Sequence, residues 1–174
     1  MKGFWLSALL AAAADLGSKS WIFAWLQRQG DETFVIIPGW LRLVRHINQG
    51  ALWGVGSGSP LLLLFMTAVI IPVVILMAVS CKEKKAPLWA LGLVLGGAAG
   101  NFYDRLFTAE TVAFAEEPVA GVRDFIHMSW PEVYNWPVYN IADVAIVAGV
   151  AVFVLWNLLQ SRRMDAAESA RAEK

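Results

Sequence analysis

Residues 138–156 read VYNIADVAIVAGVAVFVLW, which is almost wholly apolar apart from Asn140 and Asp143 near its start. A helix that crosses the hydrocarbon core of a bilayer needs about 20 predominantly apolar residues, and this stretch meets that requirement. An amide and a carboxylate at the mouth of such a segment are costly in lipid, so they are candidate functional residues. The stretch therefore predicts a membrane-spanning helix with a polar site at one end.

The composition of the whole chain also indicates an integral membrane protein. Of the 174 residues, 58% are hydrophobic and only 16% are charged, whereas a soluble domain carries about 25% charge. With 14 basic and 14 acidic residues the formal net charge is zero, which gives no argument for a nucleic-acid partner. Cys81 is the only cysteine, so the sequence excludes an internal disulfide framework and a cysteine-based metal cluster.

Four segments are long and apolar enough to span a bilayer, so we predict an all-α integral membrane fold with four transmembrane helices. Pro72 lies inside the second segment, where we expect a kink rather than a break, because neighbouring helices can satisfy the freed carbonyl group. The N-terminal run also has features of a cleaved signal peptide, but the apolar WIFAWL follows at once and favours a full-length span. The predicted spans are 4–26, 60–80, 88–107 and 138–159.

The distribution of lysine and arginine predicts the orientation, since cytoplasmic segments carry the excess of both. With the N-terminus inside, eight basic residues fall in the inner segments and four in the outer loops, so both termini are expected in the cytoplasm. We predict one membrane domain over residues 1–160, followed by a polar cytoplasmic tail over residues 161–174.

Two outer loops connect the predicted spans. The first, residues 27–59, contains TFVIIPGWLRLVRHI, in which β-branched and aromatic residues flank Pro38-Gly39, and this pattern predicts a short hairpin at the membrane surface. The second, residues 108–137, is rich in acidic residues and has two Trp-Pro dipeptides near its end. Its acidic residues are Glu110, Glu116, Glu117, Asp124 and Glu132.

Polar residues on three predicted helices fall at one depth, within roughly 5–10 Å of the outer boundary at about 1.5 Å per helical residue. Asp15 and Lys19 have the i,i+4 spacing of a helical ion pair. Asp104 and Arg105 diverge around their helix, so at least one should pair with another segment. Each pair also has a purely structural alternative, tying the first helix to the bundle or orienting the outer loop. The residues at this depth are Lys19, Asn101, Asp104, Arg105, Asn140 and Asp143, with Asp15 somewhat deeper.

Asp143 needs a partner, because an unpaired buried carboxylate is expensive and no lysine or arginine lies within a helical turn of it. It either takes up a proton or meets a group from elsewhere in the chain. Asp124, in the apolar stretch DFIHM of the second outer loop, is the candidate. Two carboxylates that share a site raise one pKa, so one holds a proton while the other is ionised. Such a pair can act as acid and base on a peptide bond without a metal.

Five blocks of sequence, in order, resemble the bacterial lipoprotein signal peptidases (type II signal peptidases) over nearly the whole chain. They are DLGSK at 15–19, IIPGWLRLVRHINQGALWG at 36–54, GGAAGNFYDR at 96–105, VRDFI at 122–126 and YNIADVAI at 139–146. The resemblance places the family's catalytic pair on Asp124 and Asp143. Its other polar motif residues, which shape the site or contact the substrate, fall on Asp15, Lys19, Asn48, Gly50, Asn101, Asp104, Arg105 and Asn140.

The resemblance implies an aspartyl protease of the bacterial inner membrane with its active site at the periplasmic face. It would remove the signal peptide from prolipoproteins by cutting just before a cysteine that carries diacylglycerol. The first outer loop would be a small β-cradle on the membrane, and globomycin-type cyclic peptides would inhibit the enzyme. Membrane lipid is an expected partner, whereas a metal, a cofactor and nucleic acid are not, and a monomer is expected.

The chain departs from the family pattern in three places. Arg123 stands where a small apolar residue is usual, and its guanidinium would either favour the ionised form of Asp124 or point to lipid headgroups. Trp53 and Tyr139 replace the usual phenylalanine. The segment 106–123 is longer than is typical, which affects the shape of the flap over the site.

Three interpretations compete with an aspartyl protease. A small transporter or channel subunit could use the buried acidic and basic residues as an ion relay, but such proteins often show internal repeats and midplane sites, which the sequence does not indicate. A serine protease is disfavoured because Ser18 and Ser20 flank Lys19 in sequence and adjacent helical residues do not face each other. A zinc protease is disfavoured because His46 and His127 lack the H-E-x-x-H spacing.

Overall fold

A computed structural model of the chain describes residues 1–50, 59–83, 86–110, 117–130 and 134–172, and for residues 60 and 165–172 it describes the backbone alone. This part of the chain forms four helices and six strands. The helices are α1 (Lys2–Gln29), α2 (Pro60–Cys81), α3 (Leu88–Phe107) and α4 (Ile141–Ala172). The strands are β1 (Thr33–Ile37), β2 (Leu41–Asn48), β3 (Ala109–Glu110), β4 (Val119–Ala120), β5 (Val122–Trp130) and β6 (Tyr134–Asn135).

Each predicted span falls on one helix, but the helices differ in character. Within the described residues, two helices are long and apolar enough to cross a membrane, α2 over Leu61–Cys81 and α4 over Ile141–Met164. By contrast, α1 and α3 carry charged side chains that are buried inside the bundle. Pro72 lies within the continuous helix α2, as predicted.

Helix α4 does not stop at residue 159, where the predicted span ends, but continues to Ala172 through most of the predicted tail. The tail is rich in alanine, arginine and glutamate, which have high helix propensity, so the helix extends past its apolar part. The helix also begins at Ile141, which leaves Asn140 just before its first turn.

Helix α3 lies at the centre of the bundle, where it packs against α1, α2 and α4. Its glycines allow α3 to approach α1 and α4 closely. A Cβ at Gly96 would overlap the backbone carbonyl of Ala8 on α1, and a Cβ at Gly97 would overlap that of Ala142 on α4. Small residues at helix contacts are typical of membrane bundles, where packing rather than the hydrophobic effect drives association. These glycines bring the polar ends of α1, α3 and α4 together.

An antiparallel sheet in the order β1-β2-β5-β6 covers one end of the bundle. β1 and β2 form the predicted hairpin, and Gly39 in its turn adopts the left-handed backbone with φ 77°. The sheet extends beyond the predicted hairpin, because β5 and β6 of the second outer loop pair onto it. The sequence hid β5 because its first half is buried on both faces, which removes the alternation of polar and apolar residues.

A small apolar cluster fixes the sheet against the bundle. Ile47 on β2 and Phe125 on β5 pack with Ile22, Phe23 and Leu26 near the end of α1. Since Phe125 adjoins Asp124, this contact sets the position of the aspartate relative to the helices. The middle of the long segment 106–123 and the residue Trp53 lie outside the described residues.

Candidate active site

Asp124 sits on β5 at the junction of the sheet and the bundle, with only 1% of its surface exposed. Its Oδ2 accepts a hydrogen bond from Asn48 Nδ2 at 2.9 Å, which comes from the neighbouring strand β2. Its Oδ1 accepts one from Asn140 Nδ2 at 2.5 Å, which comes from the start of α4. The carboxylate is therefore held from two elements at once.

Asp143 lies in the first turn of α4, where it forms a reciprocal capping arrangement with Asn140. The Asp143 N–H donates to Asn140 Oδ1 at 3.0 Å, and the Asn140 N–H donates to Asp143 Oδ2 at 3.1 Å. This is the geometry of a capping box, in which two otherwise unpaired donors at a helix start are satisfied reciprocally. Asp143 Oδ1 also accepts a hydrogen bond from Asn101 Nδ2 at 3.0 Å. Asn140 thus contacts both aspartates, which brings the predicted pair together.

Three asparagine side chains point their amide NH₂ groups at the two carboxylates. The carbonyl oxygen of each is held by a group that can only donate a hydrogen bond, which fixes the orientation of the amide. Asn48 Oδ1 accepts from Gly50 N–H at 2.9 Å, Asn101 Oδ1 accepts from the Lys19 ammonium at 2.9 Å, and Asn140 Oδ1 accepts from Asp143 N–H at 3.0 Å. The site therefore surrounds its carboxylates with preoriented amide donors.

Burial is the main influence on the protonation of Asp124. Desolvation, together with the negative charge of Asp143, raises the pKa of Asp124 to about 7. The hydrogen bonds from Asn48 and Asn140 and the charge of Lys19 act in the opposite direction, but they do not offset the burial. A carboxyl group with a pKa near neutrality beside a second carboxylate is suited to exchange protons at physiological pH.

The predicted ion pair of Asp15 and Lys19 is confirmed, with Lys19 Nζ 2.6 Å from Asp15 Oδ2 and both side chains fully buried. It belongs to a larger network, because Lys19 Nζ also lies 3.2 Å from Asp104 Oδ2 on α3. Asp15 Oδ1 accepts the backbone N–H of Ala142 at 2.9 Å. Asp15 thereby binds the start of α4, next to Asp143, which supports the structural role that the sequence left open.

Arg123 does not act on Asp124 in either of the ways predicted. Side chains alternate along β5, and the guanidinium of Arg123 binds Asp104 Oδ1 through NH2 at 2.8 Å and Nε at 3.2 Å. Its exposed fraction is 7%, so it does not point to lipid headgroups either. Asp104 thus pairs with segments outside its own helix, as its divergence from Arg105 predicted.

Arg105 links α3 to the chain that follows β2. It donates to the carbonyl oxygens of Gly50 at 3.3 Å and Asn101 at 3.4 Å, and it interacts electrostatically with Asp124 and Asp143. All ten residues predicted for the site therefore take part in one connected arrangement. Arg123 and Ser20, whose hydroxyl accepts from Arg123 NH1 at 3.2 Å, also belong to it, although the sequence did not predict them there. The sequence feature that could have indicated the role of Arg123 is an arginine within a mostly apolar strand.

A family model described as signal peptidase (SPase) II matches residues 7–159. The chain belongs to the signal peptidase II family. It is 34% identical over 157 residues to a lipoprotein signal peptidase of Chlorobium phaeobacteroides (strain BS1), covering 90% of this chain and 96% of that protein.

Two solved bacterial membrane enzymes, both determined by the in meso method, have similar folds. One has a TM-score of 0.66 at 25% identity and covers 92% of this chain and 90% of its own. The other has a TM-score of 0.65 at 29% identity and covers 91% of this chain and 94% of its own. The signal peptidase II family consists of peptidases, so the chain is a membrane peptidase rather than a transporter.

In this signal peptidase II member the two serines that flank Lys19 make hydrogen bonds with groups other than the two candidate catalytic aspartates. Ser18 donates to the backbone carbonyl of Asp15 at 2.9 Å, and Ser20 binds Arg123. His127 Nδ1 accepts from Arg42 Nε at 2.7 Å on the sheet. The two aspartates that Asn140 contacts therefore remain the candidate catalytic groups.

Proposed function

We propose that the chain is an aspartyl endopeptidase that removes the signal peptide from diacylglyceryl-modified prolipoproteins, cutting just before the lipidated cysteine. The substrate class is supported by membership of the signal peptidase II family and by the curated relative named lipoprotein signal peptidase. The catalytic assignment is carried by one observation. Asn140 contacts Asp124 and Asp143 together, while burial and the charge of Asp143 raise the pKa of Asp124 to about 7.

In the proposed reaction Asp124 begins protonated and Asp143 ionised. Asp143 takes a proton from water as the water oxygen bonds to the carbonyl carbon of the scissile peptide, and Asp124 donates its proton to the carbonyl oxygen. When the tetrahedral intermediate collapses, the C–N bond breaks and the proton held by Asp143 passes to the leaving amine. Asp124 recovers a proton from the intermediate's hydroxyl, which restores the starting state. No metal or cofactor takes part.

We place the four helices across the bacterial inner membrane, with both termini in the cytoplasm and the aspartates at the periplasmic side. The apolar side chains of α2 and α4 are largely exposed, as lipid-facing side chains would be. The sheet and the polar helix ends meet at one end of the bundle. A signal helix with a lipid on its cysteine would bring its scissile bond to that level. We expect a monomer that binds membrane lipid and is inhibited by globomycin-type peptides.

Residues around the aspartates divide into three proposed roles. Arg105, whose charge interacts with both aspartates, and the Gly50 carbonyl to which it donates would contact the substrate chain or an inhibitor. Asn48, Asn101 and Asn140 would hold the aspartates. The remaining polar residues would hold the helices in place. These are Asp15, Lys19 and Asp104.

The test follows cleavage of a diacylglyceryl-modified prolipoprotein by the protein purified in detergent. Asp124→Asn and Asp143→Asn should each lower kcat by about 1,000-fold or more, because each removes one proton-transfer group from a pair that acts together. Asp31→Asn, at an exposed aspartate just after α1, is the matched control and should retain full activity. Near-normal cleavage by either site variant would exclude the aspartate pair. EDTA should leave the activity unchanged, and a loss of activity in EDTA would count against the metal-free reaction.

A further inference from the structure

Arg123 is a buried arginine whose guanidinium makes polar contacts with two different helices. Its backbone N–H donates to Asp104 Oδ2 at 3.0 Å, and its guanidinium binds Asp104 Oδ1 with two nitrogens. A third nitrogen donates to Ser20 on α1. One residue therefore ties β5 to both α3 and α1, immediately before Asp124.

The charges in this buried cluster balance. Asp15 and Asp104 supply two negative charges, and Lys19 and Arg123 supply two positive charges, with the four side chains between 0% and 9% exposed. Removing one member of a buried ion pair leaves the other charge uncompensated. Without Arg123, Lys19 would be the one cation of this cluster serving both aspartates, although it also has to hold the Asn101 amide.

We propose that Arg123 is a positioning residue for Asp124, which acts by locking β5 onto Asp104 and Ser20. The proposal rests on the proposed function, since the group that it positions is the proposed catalytic aspartate. These contacts of Arg123 keep the Asp124 carboxylate within hydrogen-bonding distance of the amides of Asn48 and Asn140. It also leaves the Lys19 ammonium on Asn101, whose amide faces Asp143. Arg123 itself lies on the other side of the strand from Asp124 and contacts no reacting atom.

The first test compares cleavage kinetics of Arg123→Met, Arg123→Lys and Arg28→Met. Arg28 is an exposed arginine near the end of α1, so its substitution is the matched control. Arg123→Met should lower kcat on the order of 10- to 100-fold while KM stays within a factor of two, because misplacing a catalytic group slows chemistry more than binding. Arg123→Lys keeps the charge without the two-nitrogen contact and should recover part of the rate. A kcat for Arg123→Met equal to that of Arg28→Met would overturn the proposal.

The second test needs no activity and measures amide hydrogen exchange over residues 122–126. Arg123→Met should speed exchange in this strand while the helices stay protected, because the Arg123 N–H and its neighbours lose their fixed position. Unchanged exchange would overturn the proposal. If Arg123→Met exchanges faster than the wild type over residues 122–126 but the wild type does not cleave prolipoprotein, the proposed function fails while the contact of Arg123 with Asp104 and Ser20 still holds β5 in place. If Arg123→Met does not fold, Arg123→Lys gives the same comparison.

A double-mutant cycle distinguishes an effect of Arg123 through Asp104 from a general loss of stability. In an Asp104→Asn background the partner of Arg123 is already weakened, so Arg123→Met should cost a smaller factor in kcat than in the wild type. Equal factors in both backgrounds would show that Arg123 acts without Asp104 and would overturn the proposal.

Discussion

The asparagine between the two aspartates offers the sharpest test of the site. Asn140 does two things at once. Its Oδ1 caps α4 by accepting the Asp143 N–H, and its Nδ2 donates to Asp124 Oδ1 at 2.5 Å. Serine is as good a helix cap as asparagine but has no amide. Asn140→Ser should therefore keep the cap while removing the donor from Asp124.

The direction of the effect follows from the protonation of Asp124. The hydrogen bond from Asn140 lowers the pKa of Asp124, which stands at about 7 because burial and Asp143 raise it. Losing that bond must raise the pKa further. A hydrogen bond to a charged group contributes about 1.5–3 kcal/mol, and one pKa unit corresponds to about 1.4 kcal/mol. The upper pKa of the pair should therefore rise by about 1–2 units, from about 7 towards about 8–9.

The assay is the pH dependence of kcat/KM for cleavage of a lipid-modified prolipoprotein, which reports the ionisation of the free enzyme. Because Asp124 must hold a proton to donate it, the wild-type rate should fall above about pH 7. In Asn140→Ser this alkaline limb should move to higher pH, although the maximal rate should be lower. Asn157→Ser, at an exposed position further along α4, should leave the profile unchanged. An alkaline limb that stays in place or moves to lower pH would refute the assignment of Asp124 as the proton donor.

Two further predictions concern stability. Because the pKa of Asp124 rises from 3.8 to about 7 on folding, its contribution to stability is present below about pH 4 and is lost as pH rises through about 7, by up to about 4 kcal/mol. Thermal unfolding in detergent should show a smaller decline over this pH range for Asp124→Asn than for the wild type, and parallel curves would contradict the raised pKa. Gly97→Ala should destabilise the fold by about 1–3 kcal/mol, because its Cβ would overlap the Ala142 backbone. Gly17→Ala, whose Cβ meets nothing within 4 Å, should gain up to about 1 kcal/mol, and equal melting temperatures would refute the close approach of α3 and α4.

Local patterns in the sequence predicted much of this molecule. Hydropathy located each of the four helices because an apolar run of about 20 residues is visible in one stretch of chain, although only α2 and α4 of the described helices are apolar enough to be candidate membrane spans. The Asp15–Lys19 pair follows from i,i+4 spacing, and the hairpin follows from residues on either side of Pro38-Gly39. Asp143 became a candidate because it lies in an apolar span with no lysine or arginine within a helical turn, and a buried carboxylate without a partner is expensive. Asp124 became its candidate partner because it lies in an apolar stretch of the second outer loop.

Contacts between distant parts of the chain were decided only by the tertiary structure. Sequence placed Arg123 beside Asp124, but strand alternation turned it towards Asp104, 19 residues away. The membership of β5 in the sheet depends on pairing with β2, and burial on both faces erased its polar pattern. Asp15 caps α4 across 127 residues of chain. The amides at the aspartates are oriented by donors that folding brings within reach. The sequence therefore supplied the candidate residues, and the fold determined how their side chains are oriented.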